Sequence, residues 1–168
     1  NGDGSAGSGD VNFDCLVDVI DVVLMVNAII DSEMLDNGDM NGDGSLDVVD
    51  IVAVINLILS DTARAMDADS ATVVVADNSL KVSADGYIGG IQMTLLHGNG
   101  FELDLTDNAM VSEYKTTGTS TILVVVVPEE ELIFTSNQSF EIVDMIIANS
   151  ESEIEVNTVS EFGLSTAY

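Results

Sequence analysis

Two clusters of aspartate and asparagine residues, 29 positions apart, carry the side chains that could bind a metal ion. Oxygen ligands at positions 1, 3, 5, 7, 9 and 12 of a twelve-residue loop are the pattern of a calcium-binding loop. Position 7 contributes its backbone carbonyl, and the other five positions contribute side-chain oxygens. The predicted ligands are Asp10, Asn12, Asp14, Leu16, Asp18 and Asp21 in the first loop, and Asp39, Asn41, Asp43, Ser45, Asp47 and Asp50 in the second.

The donor set favours calcium over other divalent ions, and it predicts two calcium ions, one per loop. Calcium accepts six to eight oxygen ligands, whereas magnesium requires a tight octahedron and retains its waters. Zinc prefers histidine and cysteine, and the chain contains one residue of each type. Four aspartates within each loop repel one another when no cation is present. We therefore expect the first half of the chain to be loosened or unfolded without calcium.

An internal repeat contains both loops. When Asp10–Ile30 is laid over Asp39–Leu59, nine of 21 positions are identical, and six of those nine are Asp or Asn. Each loop leads into a segment with ten apolar residues of twelve, Val19–Ile30 and Val48–Leu59, which predicts two helices. A helix that is apolar on nearly all sides must be covered. The cover is either the second half of this chain or a partner protein.

The loops depart from the usual calcium-loop pattern at two positions. Position 12 holds Asp instead of Glu, so the following helix must approach the ion more closely. Position 6, where the turn is sharp and glycine is preferred, is Gly44 in the second loop and Cys15 in the first. We expect the first loop to be the more strained. Cys15 is interpreted as a loop side chain and not as a nucleophile, because acidic neighbours raise the pKa of a thiol.

Composition excludes several classes of function. The chain has 168 residues, 46% of them hydrophobic, and its 30 acidic and 3 basic side chains give a net charge of −27. This balance excludes nucleic acid and anionic membrane surfaces as partners, since both require clustered Lys and Arg. No apolar run reaches the roughly 18–20 residues that membrane insertion needs. A single histidine and a single cysteine leave no triad chemistry, so we expect no enzymatic activity.

The second half predicts a β-sandwich. Short apolar or alternating segments are separated by turn signals such as Asp85-Gly86 and Gly98-Asn99-Gly100. Eight or nine strands of this length predict an antiparallel sandwich. Within it, the continuously apolar run Val124–Val127 predicts a central strand that is buried on both faces. The predicted strands are Thr72–Ala76, Ser79–Ala84, Ile88–Leu96, Phe101–Thr106, Ala109–Thr116, Thr119–Val127, Glu131–Thr135, Phe140–Ala148 and Glu153–Val156.

The predicted fold class is therefore α+β and multidomain, with a small all-α pair of calcium loops and helices followed by the sandwich. The predicted boundaries are 1–60 for the double loop-helix domain, 61–70 for a linker, 71–160 for the sandwich and 161–168 for a C-terminal tail.

The repeat resembles the type I dockerin domain over about residues 9–60. The resemblance is carried by Gly9–Asp14 with Asp18-Val19-Ile20-Asp21, and by Gly38–Gly44 with Asp47-Val48-Val49-Asp50. In that family Asp at position 12 is normal. The resemblance implies two bound calcium ions and a cohesin partner, which is a nine-stranded β-sandwich. It also implies that loop positions 10 and 11 contact the partner; these are Val19, Ile20, Val48 and Val49 here. Cellulosomal dockerins usually carry polar residues at these positions, so the apolar pairs imply a more apolar interface.

Two weaker resemblances concern the rest of the chain. Residues 71–157 are similar to cohesin-like or related carbohydrate-module sandwiches, through Gly89-Gly90-Ile91-Gln92-Met93-Thr94-Leu95. Residues 161–168 resemble the lead-in to a type IX secretion sorting domain. Together they imply an extracellular or cell-surface protein associated with polysaccharides. Direct glycan binding by the sandwich is disfavoured, because the chain has no tryptophan for an aromatic platform.

Two interpretations of function remain open at this point. In the first, the protein is a non-enzymatic assembly protein whose dockerin-like half docks onto a cohesin-like sandwich, which belongs to its own chain, a neighbouring copy or a separate scaffold. Head-to-tail docking between copies would form a filament or surface matrix. In the second, the chain is a calcium-stapled rigid unit, or the dockerin anchor of a larger secreted enzyme or adhesin. The surface that covers the two apolar helices distinguishes these interpretations.

Overall fold

The computed structural model describes residues 8–59, 66–76 and 78–160. Two helices precede nine strands, as predicted. The helices are α1 (Val19–Ile30) and α2 (Val48–Ile58). The strands are β1 (Ser70–Ala76), β2 (Ser79–Ala84), β3 (Gly90–His97), β4 (Leu103–Leu105), β5 (Ala109–Thr117), β6 (Ser120–Pro128), β7 (Leu132–Ser136), β8 (Phe140–Ala148) and β9 (Glu155–Ser160).

The strands form two sheets, with the orders β4-β7-β2-β1-β9 and β5-β6-β3-β8. The predicted sandwich is confirmed, but the prediction that it is antiparallel is wrong at one pair, because β1 and β9 run parallel from Ser70 opposite Glu155. The alternation of inward and outward side chains is the same in parallel and antiparallel strands. The sequence pattern therefore could not distinguish this pairing from an antiparallel one.

The sandwich core lies between the two sheets. Its fully buried members include Val73, Leu80, Ile91, Leu123 and Phe134, which come from strands of both sheets. Alternation along each strand explains this, since every second side chain points to the same face. The core thus fixes which face of the four-stranded sheet remains on the outside.

The outer face of the four-stranded sheet is covered by α1 and α2 of the same chain. Val124 and Val126 on β6 are fully buried in a cluster with the helices, whereas Leu123 and Val125 belong to the sandwich core. The run beginning at Val124 is apolar because the strand has a buried surface on each side, as predicted. In this structure the cover for the two helices is therefore the chain's own sandwich.

Two glycines allow α2 to approach the sheet closely. A Cβ atom added to Gly90 would overlap the side chain of Val48, and one added to Gly89 would lie 2.9 Å from a methyl carbon of Val52. Glycine within a strand often marks such an approach by another element. Gln92 reinforces the contact, because its side-chain Oε1 accepts a hydrogen bond of 2.9 Å from the backbone N–H of Val48.

Polar contacts lie near the C-terminal end of each helix. The side-chain amide of Asn56 on α2 donates a hydrogen bond to the carbonyl oxygen of Ser150. After α1, Asp31 forms a salt bridge of 2.7 Å with Lys115 on β5. Hydrogen bonding to Asp31 raises the pKa of Lys115. Exposed ion pairs of this kind contribute little stability, so the apolar contacts dominate the interface.

Part of the predicted linker lies against the sandwich. The backbone N–H of Ala68 donates to the carbonyl of Tyr87, and the carboxylate of Asp67 accepts hydrogen bonds from Ser150. Residues 61–65 of the linker and the predicted tail 161–168 lie outside the described residues. None of the helices in the described ranges has the length and hydropathy to cross a membrane.

Candidate metal centre

The first aspartate of each loop organises the turn that follows it. The carboxylate of Asp10 accepts hydrogen bonds from the backbone N–H groups of Asp14 and Cys15, at 3.2 and 2.9 Å. Asp39 accepts the equivalent bonds from Asp43 and Gly44, at 3.2 and 2.8 Å. The two loops therefore share one backbone conformation, and the 29-residue repeat in the sequence is also a repeat in structure.

The last aspartate of each loop is buried and closes the loop. Asp50 accepts backbone hydrogen bonds from Met40, Asn41 and Asp47 at 2.8, 3.3 and 2.9 Å. Asp21 accepts the equivalent three bonds in the first loop from Val11, Asn12 and Asp18. Neither side chain is exposed to solvent. Position 12 thus binds the beginning of the loop to the beginning of the helix.

The ninth and twelfth positions also start the helices. Asp18 and Asp47 are the N-caps of α1 and α2, and each forms a capping box with the aspartate three residues later. A capping box satisfies two backbone N–H groups that the helix leaves unpaired. The predicted ligands Asp18 with Asp21, and Asp47 with Asp50, therefore have a second task, which is to start the helices. The ligand spacing alone did not indicate this task. This task explains why an apolar, partly β-branched segment begins its helix at Val19 and at Val48.

Three carboxylates of the second loop converge. Asp39, Asp43 and Asp50 offer oxygen atoms that all lie within 4.8 Å of one another. Burial raises the pKa of Asp50 to about 6, and burial, followed by the nearby Asp43 carboxylate, raises the pKa of Asp47. Burial disfavours the charged form of a carboxyl group, and a neighbouring carboxylate does the same. This acidic cluster could hold a metal ion, and the ion would relieve the repulsion between the carboxylates.

The first loop differs from the second at two strained positions. Cys15 has φ 73° and its counterpart Gly44 has φ 86°; Phe13 has φ 61° and its counterpart Gly42 has φ 72°. This left-handed conformation costs a residue with a side chain about 1–2 kcal/mol, whereas glycine adopts it freely. The expected strain at Cys15 is present. The strain at Phe13 was not predicted, although Gly42 in the aligned loop was a signal for it.

Replacing Cys15 with glycine should stabilise the protein. We expect Cys15→Gly to raise the free energy of unfolding by about 1 kcal/mol, since it removes backbone strain. Gly44→Ala is the matched change in the second loop, where an added Cβ would meet no atom within 4 Å, so it tests backbone strain alone. It should lower stability by about 1 kcal/mol. Urea unfolding in saturating calcium measures both changes, and a destabilising Cys15→Gly would contradict this account.

The four predicted partner-binding residues have different surroundings. In the second repeat Val48 is fully buried against Gly90, and Val49 is half-buried. In the first repeat Val19 and Ile20 are exposed, at 44% and 52%. The structure therefore does not bring the two pairs together on one surface. Val48 meets the chain's own sandwich, whereas Val19 and Ile20 face solvent.

A family comparison agrees with this loop and helix geometry. Residues 8–59 match the model of the dockerin type I domain. This segment is a dockerin type I domain. The match covers both loops and the whole of both helices, and it ends one residue after α2.

Comparisons with solved structures and with curated proteins do not extend this assignment to the sandwich. The non-cellulosomal cohesin from the hyperthermophilic archaeon Archaeoglobus fulgidus is similar to this chain, with a TM-score of 0.34 and 13% identity over 62% of this chain and 93% of that protein. At these values the similarity adds nothing to the sandwich architecture, which is given by the strand pairing. No curated protein matches the sequence.

Proposed function

We propose that this protein is a non-enzymatic, calcium-dependent docking module. The observation that carries the proposal is a dockerin domain whose two loops repeat the same hydrogen bonds and each end in a buried aspartate, Asp21 or Asp50. Dockerin domains are protein–protein interaction modules, so the expected partner is a β-sandwich of the cohesin type. An extracellular or cell-surface location follows for such a module, because calcium is abundant there.

Two calcium ions complete the domain in this proposal. The ligands are the carboxylate, amide and carbonyl oxygens at loop positions 1, 3, 5, 7, 9 and 12, from Asp10 to Asp21 and from Asp39 to Asp50. An all-oxygen donor set with several carboxylates suits a hard cation of calcium's size. When bound, the ions neutralise the clustered aspartates and hold each loop against its helix. Binding free energy then becomes folding free energy.

In this proposal the dockerin domain, held together by its calcium ions, also forms one rigid unit with the sandwich. The burial of Val48, Val52, Val124 and Val126 between α2 and the sheet supports docking within one chain. A filament in which α2 docks on the next copy would first have to expose this apolar interface. We therefore favour the closed unit over the head-to-tail filament.

Calcium removal tests the proposal. We expect calorimetric titration of the metal-free protein to show two calcium ions per chain. We also expect thermal unfolding to occur at a clearly lower temperature in excess chelator, since a ligand at 100 times its Kd adds about 2.7 kcal/mol of stability. Magnesium at the same concentration is the control and should restore little of the stability. Identical unfolding curves with calcium and with chelator would exclude the proposed function.

A further inference from the structure

The sandwich is open along one side, between the outermost strand of each sheet. β8 lies at one edge of the four-stranded sheet, and β9 lies at one edge of the five-stranded sheet. A cavity of about 550 Å³ lies between these two strands, and we name it the edge groove. A volume of this size is in the range of ligand sites. The walls of the groove include Val75 on β1, Phe140, Ile142, Val143 and Met145 on β8, and Thr158 on β9.

The edge groove leaves part of the sandwich core uncovered. Phe140, Ile142 and Met145 pack against the core but are only partly buried. Thr158 on the other wall pairs in register with the fully buried Val73, so it points into the sandwich, and it is nevertheless exposed. Side chains that enter the groove from outside would therefore remove apolar surface from water, which favours binding.

The backbone of β8 offers pairing positions beside the groove. From Phe140 to Asp144, β8 pairs with β3 and with no other strand of the described residues, so its outer side presents unpaired backbone groups. β8 is nine residues long, whereas the edge strand β4 has three. An extended segment of another protein can add a strand to such an edge and place alternate side chains in a pocket beside it.

The charge around the groove indicates the chemistry of the segment that fits. Residues 140–160 carry five acidic side chains, all of them exposed, and no Lys or Arg. The two lysines of the described residues, Lys81 and Lys115, lie on β2 and β5. A second copy of this chain has a net charge of −27 and would be repelled. A strand that carries Lys or Arg between its apolar side chains would be attracted.

We propose that the edge groove is a second docking site, separate from the dockerin domain. Its ligand is an extended segment of another protein, in which apolar side chains alternate with Lys or Arg. The backbone of this segment pairs with Phe140–Asp144 of β8. Its apolar side chains fill the groove, and its basic side chains lie near the acidic side chains of β8. The groove does not include the sheet face that α1 and α2 cover, so this docking leaves the helix pair in place.

Calorimetric titration of the full chain with synthetic peptides in saturating calcium tests the proposal. The first peptide has about eight residues, the length of an ordinary strand, and lysine alternates in it with valine or phenylalanine. The second has the same composition with its lysines grouped at one end. We expect the alternating peptide to bind at least about tenfold more tightly, because only alternation places all apolar side chains on one face of a strand.

A charge reversal beside the groove should weaken this binding. Asp144 is exposed and lines the groove, so Asp144→Lys should reduce the affinity for the alternating peptide at least about tenfold, because like charges would then face each other. Asp107→Lys makes the same charge change at an exposed position between β4 and β5 and should leave binding unchanged. Both variants should unfold at nearly the same temperature as the unchanged protein, which separates weaker binding from loss of folding.

Hydrogen exchange locates the bound peptide. The alternating peptide should slow backbone exchange in residues 140–144 and leave β5, the other edge of the same sheet, unchanged. The proposal is overturned if the grouped peptide binds as tightly, if Asp144→Lys binds as tightly as Asp107→Lys, or if the slowed amides lie in residues 8–59. It is also overturned if residues 140–144 exchange slowly without peptide and either Phe162→Ser or dilution releases them, because the chain itself or a second copy then covers the edge. None of these outcomes depends on the calcium titration that tests the proposed function.

Discussion

Asp50→Ala should lower the free energy of unfolding in saturating calcium by at least about 3 kcal/mol and should reduce the calcium stoichiometry from two to one. The Asp50 carboxylate is fully buried and accepts three backbone hydrogen bonds, which tie Met40, Asn41 and Asp47 to the start of α2. These hydrogen bonds are partly buried, and a fully buried N–H that loses its acceptor costs about 1–3 kcal/mol, so the three together account for a loss of about this size. The loss of one ion adds to this, since the ion binds only the folded loop.

The repeat supplies a matched variant for this experiment. Asp21→Ala removes the same three backbone hydrogen bonds from the first loop, so we expect a loss of similar size and again one remaining ion. Asp107→Ala makes the same charge change at an exposed position in the sandwich and should have little effect. Calorimetric titration and urea unfolding provide both readouts. If Asp50→Ala still binds two calcium ions and is as stable as Asp107→Ala, the Asp50 carboxylate is not a calcium ligand.

Gly90→Val should destabilise the protein by about 1–3 kcal/mol, the usual cost of added volume in a packed interface. A side chain at this position would overlap Val48, so α2 would be displaced from the sheet. Whether Gly90→Val lowers or raises the stability distinguishes a covered sheet face from an open one. Valine is favoured in β-strands and glycine is not, so the same substitution on an open sheet face would be stabilising.

A second position on the same strand provides the control. Thr94 lies four residues after Gly90, so its side chain points to the same face of β3, and it is half-buried. Thr94→Val also introduces valine into the strand and should leave stability nearly unchanged. Urea unfolding of both variants in saturating calcium makes the comparison. If Gly90→Val stabilises the protein, α2 does not lie on this sheet in solution.

The helices, the loops and the nine strands follow from local sequence. Asp18 and Asp47 precede apolar runs, and turn residues such as Asp85-Gly86 separate short alternating segments. These signals act within a few residues, so they can be read without the tertiary structure. The parallel pairing of β1 and β9 could not be predicted, because it depends on how the chain closes the sheet and not on the strands themselves.

The sequence predicted only part of how the dockerin helices are placed. The run from Val124 predicted a strand that is buried on both faces, and this is confirmed. A run of valines does not indicate which chain supplies the cover. Gly89 and Gly90, at the start of β3, carried that information, because glycines leave room for a closely packed neighbour. The valines of α2 that fill this room are 37 or more residues away in sequence. The strain at Phe13 was visible only by comparison with Gly42.

A crystal structure obtained from calcium-containing buffer tests the central claim most directly. Anomalous scattering should locate one calcium ion in each loop, and α2 should lie over Gly89 and Gly90 of its own chain while Ile20 faces away from the sandwich. Loops without ions and with their aspartates turned into solvent would contradict the account. So would α2 packed on the sandwich of a neighbouring molecule.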